Sequence, residues 1–484
     1  MTTLKSNAIV AQCTPSGSGA IALVRISGPD AVAIANECSQ LSSKAAINQV
    51  MTHTINHGWV IDLQGKKIDE VLFLVMHGPR TFTGENTVEI TCHNNQFLIN
   101  AIIERIIACG ARPAQAGEFT RSAVENNKID LLQAEAINEL IHANSQQALK
   151  HALGQLEGTL SHHIETLEKQ LLHLMVLCEA SFEFLEEDVN FAPSMQKLFI
   201  QTLEKTIALQ VSFDQQKILR SGIRIALLGT VNAGKSSLFN ALVGKKRAIV
   251  TPIAGTTRDV IESGLYLNGS YLTFIDTAGL RSTEDVIEKE GIERSLQEAQ
   301  LADIILLVCD GSRSLIPAEH DLYQQLLIEH AHKIILVITK NDLPQVSVVL
   351  VNGSTLQQPQ ALARASNVQP QQELSTLRFA QKVHVSTQTQ SGINDLKQLL
   401  EKRIQELFET TNCPFLLSKR QIDLLTTFQH KLLEVQTVLF DDNIEYEIVS
   451  HHLKEAITLL SELTGKSVSE KAMDMIFREF CVGK

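Results

Sequence analysis

The stretch "GTVNAGKSSLFNAL" (229–242) spaces its residues as Gly229-x4-Gly234-Lys235-Ser236. The apolar run "IRIALL" (223–228) comes before it, and helical spacing begins near Ser237. At a strand-to-helix turn of this kind, glycines let the loop wrap closely and its amides point inward. The helix N-terminus adds positive potential and a lysine meets a phosphate chain. Lys235 is expected at the β and γ phosphates and Ser236 on Mg²⁺. Three further segments supply the other parts of a nucleotide hydrolase, in order. "GTTRD" (255–259) offers the Thr257 hydroxyl to complete the metal shell. "DTAG" (276–279) offers Asp276 to hold Mg²⁺ through water and the Gly279 amide to the γ-phosphate. "TKND" (339–342) offers Asp342, whose carboxylate can accept both guanine N1–H and the exocyclic amine, giving preference for GTP over ATP. Where Ras-like enzymes carry a water-orienting glutamine after the DxxG glycine, this chain has Leu280, so another residue must place the water.

Short apolar runs alternating with helical segments must position these residues. They are "IRIALL", "YLTFI" (271–275), "IILLVC" (304–309), "IILVIT" (334–339) and "VHVS" (383–386), the pattern of a parallel sheet covered on both faces. On either side the character is helical. Ile129, Leu132, Ala136, Leu140 and Ala143 recur at spacings of three and four, as do Leu160, Ile164, Leu167, Leu171 and Leu174, so each set predicts one face of a long amphipathic helix. Leu453, Ile457 and Leu460 form a third stripe. Residues 1–125 mix short apolar runs with Gly and Pro turns, as in an α+β domain. The expected organisation is an α+β domain over 1–125, a helical bundle in two parts over 126–219 and 401–484, and an α/β domain inserted at 220–400. The segment 345–378, rich in Gln, Ser and Asn, reads as a surface loop.

The chain has 484 residues and a net charge of −12, which argues against a broad surface coating nucleic acid. It lacks a basic start followed by an apolar run, and no stretch reaches the ~18 to 20 apolar residues that span a bilayer, so a cytoplasmic protein without membrane contact is expected. Eight cysteines are scattered without a CxxC pair, fitting reduced thiols. Seven read as buried small hydrophobes and Cys481 stands apart. Near the end, Ser467-x-x-Glu470 reads as a capping box, followed by an apolar stripe of Met473, Ile476, Phe477 and Phe480 that would dock the last helix and fix Cys481 in place.

"NAGKSSLFNALVG" and "IAGTTRD", taken with "FTGENTVEITCH" (82–93), "AGEFTRSAVENNKIDLLQAEAI" (116–137) and the terminal "FCVGK" (480–484), resemble the tRNA-modification GTPase family MnmE, also called TrmE, over nearly the whole chain. The resemblance implies an N-terminal α+β folate-binding and dimerising domain, a discontinuous helical bundle, and an inserted Ras-like P-loop GTPase domain with a mostly parallel sheet. It implies a GTPase that works as a homodimer with an MnmG-type flavin protein. Together they install an aminomethyl or carboxymethylaminomethyl group at carbon 5 of the wobble uridine of certain tRNAs, using a 5-formyl or 5,10-methylene tetrahydrofolate. By motif match, Asn232, Thr251, Ile253 and Thr256 would hold K⁺, and a cation there can neutralise transition-state charge. Glu288 would orient the attacking water. The GTP set would further include Ala233, Ser237, Pro252, Ala254, Gly255, Thr277, Ala278, Thr339, Lys340, Ser386 and Thr387. Arg25, Glu89, Lys128 and Lys484 would contact the folate, the carboxylate facing pterin donors and the cations facing the glutamyl tail. Cys481 is either catalytic or merely packed. "CHNN" (92–95) departs from the family's usual "HGG" after Glu89, and "TKND" from NKxD.

A ribosome-assembly or translation factor using GTP only as a switch is the competing reading. It would bring an RNA-binding module such as a GxxG-bearing KH domain, and none is evident after residue 400.

Overall fold

The computed structural model describes residues 8–183 except 16 and 18, 191–210, 222–243 except 231, 263–275 except 268 and 269, 296–344 except 316, 381–409 and 415–483. The chain divides into two compact units. One takes residues 1–141, 151–211 and 415–484, and the other takes 142–150 and 212–414.

In the first unit a seven-stranded sheet has the order β3-β4-β5-β6-β2-β1-β7. Its strands are β1 (Ile9–Gln12), β2 (Ile21–Ser27), β3 (Ser39–Leu41), β4 (Thr54–Ile61), β5 (Lys67–Met76), β6 (Thr87–His93) and β7 (Arg112–Pro113). Pairing is antiparallel except between β1 and β7. Strand alternation puts Val24, Ile26, Phe73, Val75, Val88 and Ile90 on one face, where helices Ala31–Glu37 and Gln96–Ala108 cover them with Ile34, Ile99, Ile102 and Ile106. Each such side chain contributes about 1.5–3 kcal/mol by leaving water. The opposite face carries Arg25 and Glu89, directly paired across β2 and β6.

Helices Thr159–Glu183, Ala192–Gln210, Lys419–Leu439 and Tyr446–Thr464 form the bundle. The predicted stripe Leu160, Ile164, Leu167, Leu171 and Leu174 is wholly buried there, against Phe199, Phe428 and Leu453 among others. The stripe from Ile129 to Ala143 falls in one helix that is shorter than the spacing predicted, with Leu132 and Ala136 buried. Asp130 accepts from the Gln133 amide at 2.8 Å and starts a short helix, Leu131–His142, while Ser145 accepts from the Ala148 amide at 3.0 Å and caps the next, Gln146–Leu156. These local hydrogen bonds bound the helix on its two sides. The capping box expected at Ser467 and Glu470 does not form. Gly465, with φ 92°, ends Tyr446–Thr464, and the amide of Ser467 still serves that terminus by donating to the Ser461 carbonyl at 3.3 Å. Ser469 therefore caps the last helix, Glu470–Phe477. Phe477 and Phe480 then bury against Leu131 and Ala134, so the tail is docked as its apolar stripe implied.

In the second unit a six-stranded sheet runs β13-β12-β11-β8-β10-β9. Its strands are β8 (Ile223–Leu228), β9 (Ser263–Leu267), β10 (Ser270–Ile275), β11 (Ile304–Asp310), β12 (Ile334–Thr339) and β13 (Lys382–His384). Every pairing is parallel except the β9–β10 hairpin. The segment 345–378 lies outside the described residues.

Candidate functional site

Strand β8 has β10 on one side and β11 on the other, so the chain reverses its progress across the sheet at this strand. Crevices for ligands form at the carboxyl ends of parallel strands at such a point. The Gly-rich turn leaves β8 here. Gly229 has φ 149°, and a Cβ on it would meet the Val308 carbonyl oxygen at 2.3 Å, so only glycine lets the loop pass this close to β11. Gly234 has φ 93° and Asn232 φ 62°. Helix Lys235–Val243 begins two residues earlier than its apolar spacing suggested, with Ser236 and Ser237 exposed in its first turn.

The Lys235 ammonium donates to the carbonyls of Gly229 and Thr230 at 2.7 and 2.8 Å. Burial lowers its pKa below the usual lysine value. A phosphate in the turn would give this desolvated cation an anionic partner in place of two carbonyls. Thr339, at the end of β12, donates its hydroxyl to the Ala233 carbonyl at 2.6 Å, so it fastens the strand end to the turn. Lys340 (φ 57°) extends to Asp310 at 2.6 Å. Asp342 Oδ1 accepts from the Ser386 hydroxyl at 2.6 Å, and Thr387 follows in the same loop. The fold thus gathers Asn232, Ala233, Gly234, Lys235 and Thr339 at one turn, with Lys340, Asp342 and Ser386 linked at the neighbouring strand ends.

The glycine turn wrapped against β11, the desolvated ammonium of Lys235 and the exposed Ser236 fit a nucleotide with a hard divalent cation. Thr251, Pro252, Ile253, Ala254, Gly255, Thr256, Thr257, Asp276, Thr277, Ala278, Gly279, Glu288 and Lys484 lie outside the described residues.

One part of this region had escaped the sequence. Glu319, 1% exposed, accepts from the Thr230 hydroxyl at 2.6 Å and from Arg313 at 2.9 Å. It sits in the first turn of helix Pro317–His330, where the helix dipole favours a carboxylate. No local motif marks Glu319, because its partner in the turn is 89 residues away. Strand β9 was missed as well, although "LYLNGSYLTF" carries the Asn-Gly pair between alternating β-formers that signals a hairpin.

In the first unit Arg25 donates to Glu89 at 2.8 Å, and its guanidinium lies 5.9 and 5.4 Å from the ring centres of Phe82 and Phe119. Lys128 donates to the Pro79 carbonyl at 3.0 Å. The "CHNN" departure has a structural use: Asn95 caps helix Gln96–Ala108 by accepting from the Phe97 amide, and Asn94 donates to the Gly17 carbonyl. Val482 bridges Ala116, and Cys481 is exposed while its carbonyl accepts from Gly117. Of the other cysteines, Cys38, Cys92, Cys178 and Cys309 are buried as expected. Cys13 and Cys109 are only partly so, and Cys413 lies outside the described residues.

Residues 8–128 match the family model described as GTP-binding protein TrmE N-terminus, and residues 131–481 the one described as MnmE helical domain. The tRNA modification GTPase MnmE of Bacillus mycoides is 35% identical over 491 residues, covering 99% of this chain and 100% of that protein. That of Protochlamydia amoebophila is 36% identical over 488 residues, covering 98% and 97%. A solved structure, Era in complex with MgGDPNP and nucleotides 1506–1542 of 16S ribosomal RNA, is 25% identical over 37% of this chain and 56% of that one, at a TM-score of 0.25. The two domain models together with identity along almost the full length place this chain in the tRNA modification GTPase MnmE family.

Proposed function

We propose that this protein hydrolyses GTP in the service of tRNA modification. One observation carries the reading: a Gly-rich turn holding Lys235 at the sheet's switch point, next to strand ends bearing Thr339, Lys340 and Asp342, in a chain of this family. Lys235 and the turn amides bind the β and γ phosphates, Asp342 reads the guanine edge, and Lys340 flanks the base. Ser236 and Thr257 are the assigned Mg²⁺ ligands; the ion supplies charge neutralisation on the phosphate oxygens. Asn232, Thr251, Ile253 and Thr256 are assigned to K⁺, and the positive φ of Asn232 turns its backbone away from the regular helix that follows. Glu288 orients the attacking water, in the absence of a glutamine at Leu280.

The finer reading follows the family. The protein acts as a homodimer whose G domains approach each other, with an MnmG-type flavin partner, on carbon 5 of the wobble uridine. It uses a one-carbon tetrahydrofolate held by Arg25, Glu89, Lys128 and Lys484. The Arg25–Glu89 pair with the exposed Phe82 ring beside Arg25 supports that assignment, since planar pterins suit aromatic and carboxylate neighbours. Cys481, exposed beside Gly117, is available for chemistry. The deciding experiment combines the purified chain with the flavin partner, GTP, a one-carbon folate and unmodified tRNA. Nucleoside analysis should show a new group on the wobble uridine only when all are present. Hydrolysis should run faster in KCl than in NaCl at equal ionic strength. A chain that binds no guanine nucleotide in either salt defeats the proposal, and one that hydrolyses GTP but leaves wobble uridine untouched defeats its tRNA half.

A further inference from the structure

A buried carboxylate stands behind the Gly-rich turn, although bound phosphates would repel a bare negative charge there. Glu319 is 1% exposed, and its Oε1 accepts from the Thr230 hydroxyl at 2.6 Å. Arg313 grips the same carboxylate with both prongs. Its Nη1 donates to Oε2 at 2.9 Å and its Nη2 to Oε1 at 2.5 Å, and Nη2 also reaches the Thr230 hydroxyl oxygen at 3.3 Å. Helix Pro317–His330, which carries Glu319, is fastened beside the turn. Tyr323, one turn further along the same face, is 1% exposed and donates to the Val308 carbonyl at 3.5 Å, the group that Gly229 passes closely. Glu319 and Arg313 therefore meet the turn at Thr230, whose own carbonyl accepts from Lys235.

An ion pair taken out of water is a weak source of stability, because desolvation offsets much of the attraction and apolar side chains of similar volume hold elements together as well or better. Packing the helix on the sheet gives no reason for a charged pair at this place. What the pair supplies, and apolar side chains cannot, is a charged acceptor at a fixed position for one hydroxyl of the turn. Thr230 follows Gly229, a residue type with little backbone restraint of its own. To reach a phosphate, the Lys235 ammonium must leave the Gly229 and Thr230 carbonyls. When it leaves, the Thr230 side chain is still tied to Glu319, and Arg313 offsets the negative charge that the phosphates would otherwise meet. Arg313 Nε lies 3.9 Å from Asp310 Oδ2, beyond hydrogen-bond reach, while Lys340 pairs with that oxygen at 2.6 Å. The clamp thus ends before the strand end assigned to the base.

We propose that Glu319 and Arg313 are positioning residues for the nucleotide phosphates. They clamp the Thr230 side chain, so that the turn keeps its shape when Lys235 exchanges backbone carbonyls for the β and γ phosphates. The proposal rests on the nucleotide reading given above and adds that two side chains outside the turn set part of its affinity for phosphate. Ordering of the turn is then met on folding rather than on binding.

The full-length chain is titrated with a fluorescent GDP analogue, with inorganic pyrophosphate as competitor. Thr230→Val removes the hydroxyl and leaves the ion pair and its helix alone. It should weaken GDP and pyrophosphate by the same factor, roughly tenfold, the low end for one hydrogen bond to a charged group, while the preference for GTP over ATP stays as in wild type. Thr230→Ser should recover most of the affinity. Glu319→Leu combined with Arg313→Met replaces the pair by apolar side chains. Its urea midpoint should stay near wild type while its affinity falls as in Thr230→Val, and adding Thr230→Val to it should cost nothing further. Should that combination fold poorly, Thr230→Val and its serine rescue decide alone. Equal GDP and pyrophosphate affinity in wild type and Thr230→Val overturns the proposal, as does a folded Glu319→Leu/Arg313→Met chain that binds as tightly as wild type. A wild-type chain that binds neither ligand removes the nucleotide reading along with this one, so the two failures are told apart in the same titration.

Discussion

Replacing Asp342 by asparagine keeps the size of the side chain and changes the hydrogen-bonding edge it offers to a base. An ionised carboxylate has about four acceptor positions. The Ser386 hydroxyl takes one of them at 2.6 Å, which leaves capacity for the two donors on the guanine edge. Hydrogen bonds to a charged group are each worth about 1.5–3 kcal/mol. An amide at this position accepts from one guanine donor and turns its own N–H toward the other. The expected loss is therefore about 3–5 kcal/mol, on the order of a 10²- to 10⁴-fold rise in Kd for GTP. Xanthine carries a carbonyl where guanine carries its exocyclic amine, so the asparagine meets it donor to acceptor. Calorimetric titration of the wild-type chain and Asp342→Asn with GTP, ATP and XTP should show the order of GTP and XTP reversing while ATP stays weak in both. Ser386→Ala tests the support. It leaves the carboxylate charge and removes its anchor, so a loss of about 0.5–1.5 kcal/mol without a change in base preference is expected. An Asp342→Asn protein that still prefers GTP to XTP refutes the placement of the base at this strand end.

Lys235→Ala should abolish GTP turnover in a phosphate-release assay if the ammonium held by Gly229 and Thr230 is the phosphate ligand as proposed; residual turnover near the wild-type rate counts against it. Glu288→Ala should slow hydrolysis while GTP affinity stays within about twofold, and unchanged turnover removes its assignment. Glu135, 8% exposed, accepts from Arg420, Gln421 and Ser418, so Arg420→Ala leaves a buried carboxylate short of its charge partner. Urea unfolding of the first unit should show a loss of about 3–5 kcal/mol, and a loss under about 1 kcal/mol contradicts a buried pair there. Burial alone would raise the Glu118 carboxyl, but Arg112 and the Gln115 amide outweigh it and hold its pKa below 4.5. A depressed carboxyl adds stability above its unfolded pKa and loses it as pH falls through the folded value. Arg112→Gln should therefore narrow the gap in thermal midpoint to wild type as pH drops below 4.5, and a constant gap across that window refutes the linkage.

The amino-acid sequence by itself determined the parts whose cause is local. The buried strands of the second unit follow from continuous apolar runs, the bundle helices from their three- and four-residue spacing, and the nucleotide turn from two glycines and a lysine at one strand-to-helix junction. A single motif also singled out Thr339 and Asp342, which the fold sets at and just beyond the end of β12. The helix boundaries were less legible, because Ser145, Gly465 and Ser469 redirect the chain through hydrogen bonds spanning only a few residues, which periodicity averages over. Only the tertiary structure decided the pairs that lie far apart along the chain. Arg25 meets Glu89 across 64 residues, Thr230 meets Glu319 across 89, and Glu135 meets Arg420 across 285. Spacing along a chain records which residues share a helix face or a strand face. Which faces then meet depends on how the sheets and helices close around their cores, and that closure brings charges together that no short motif contains.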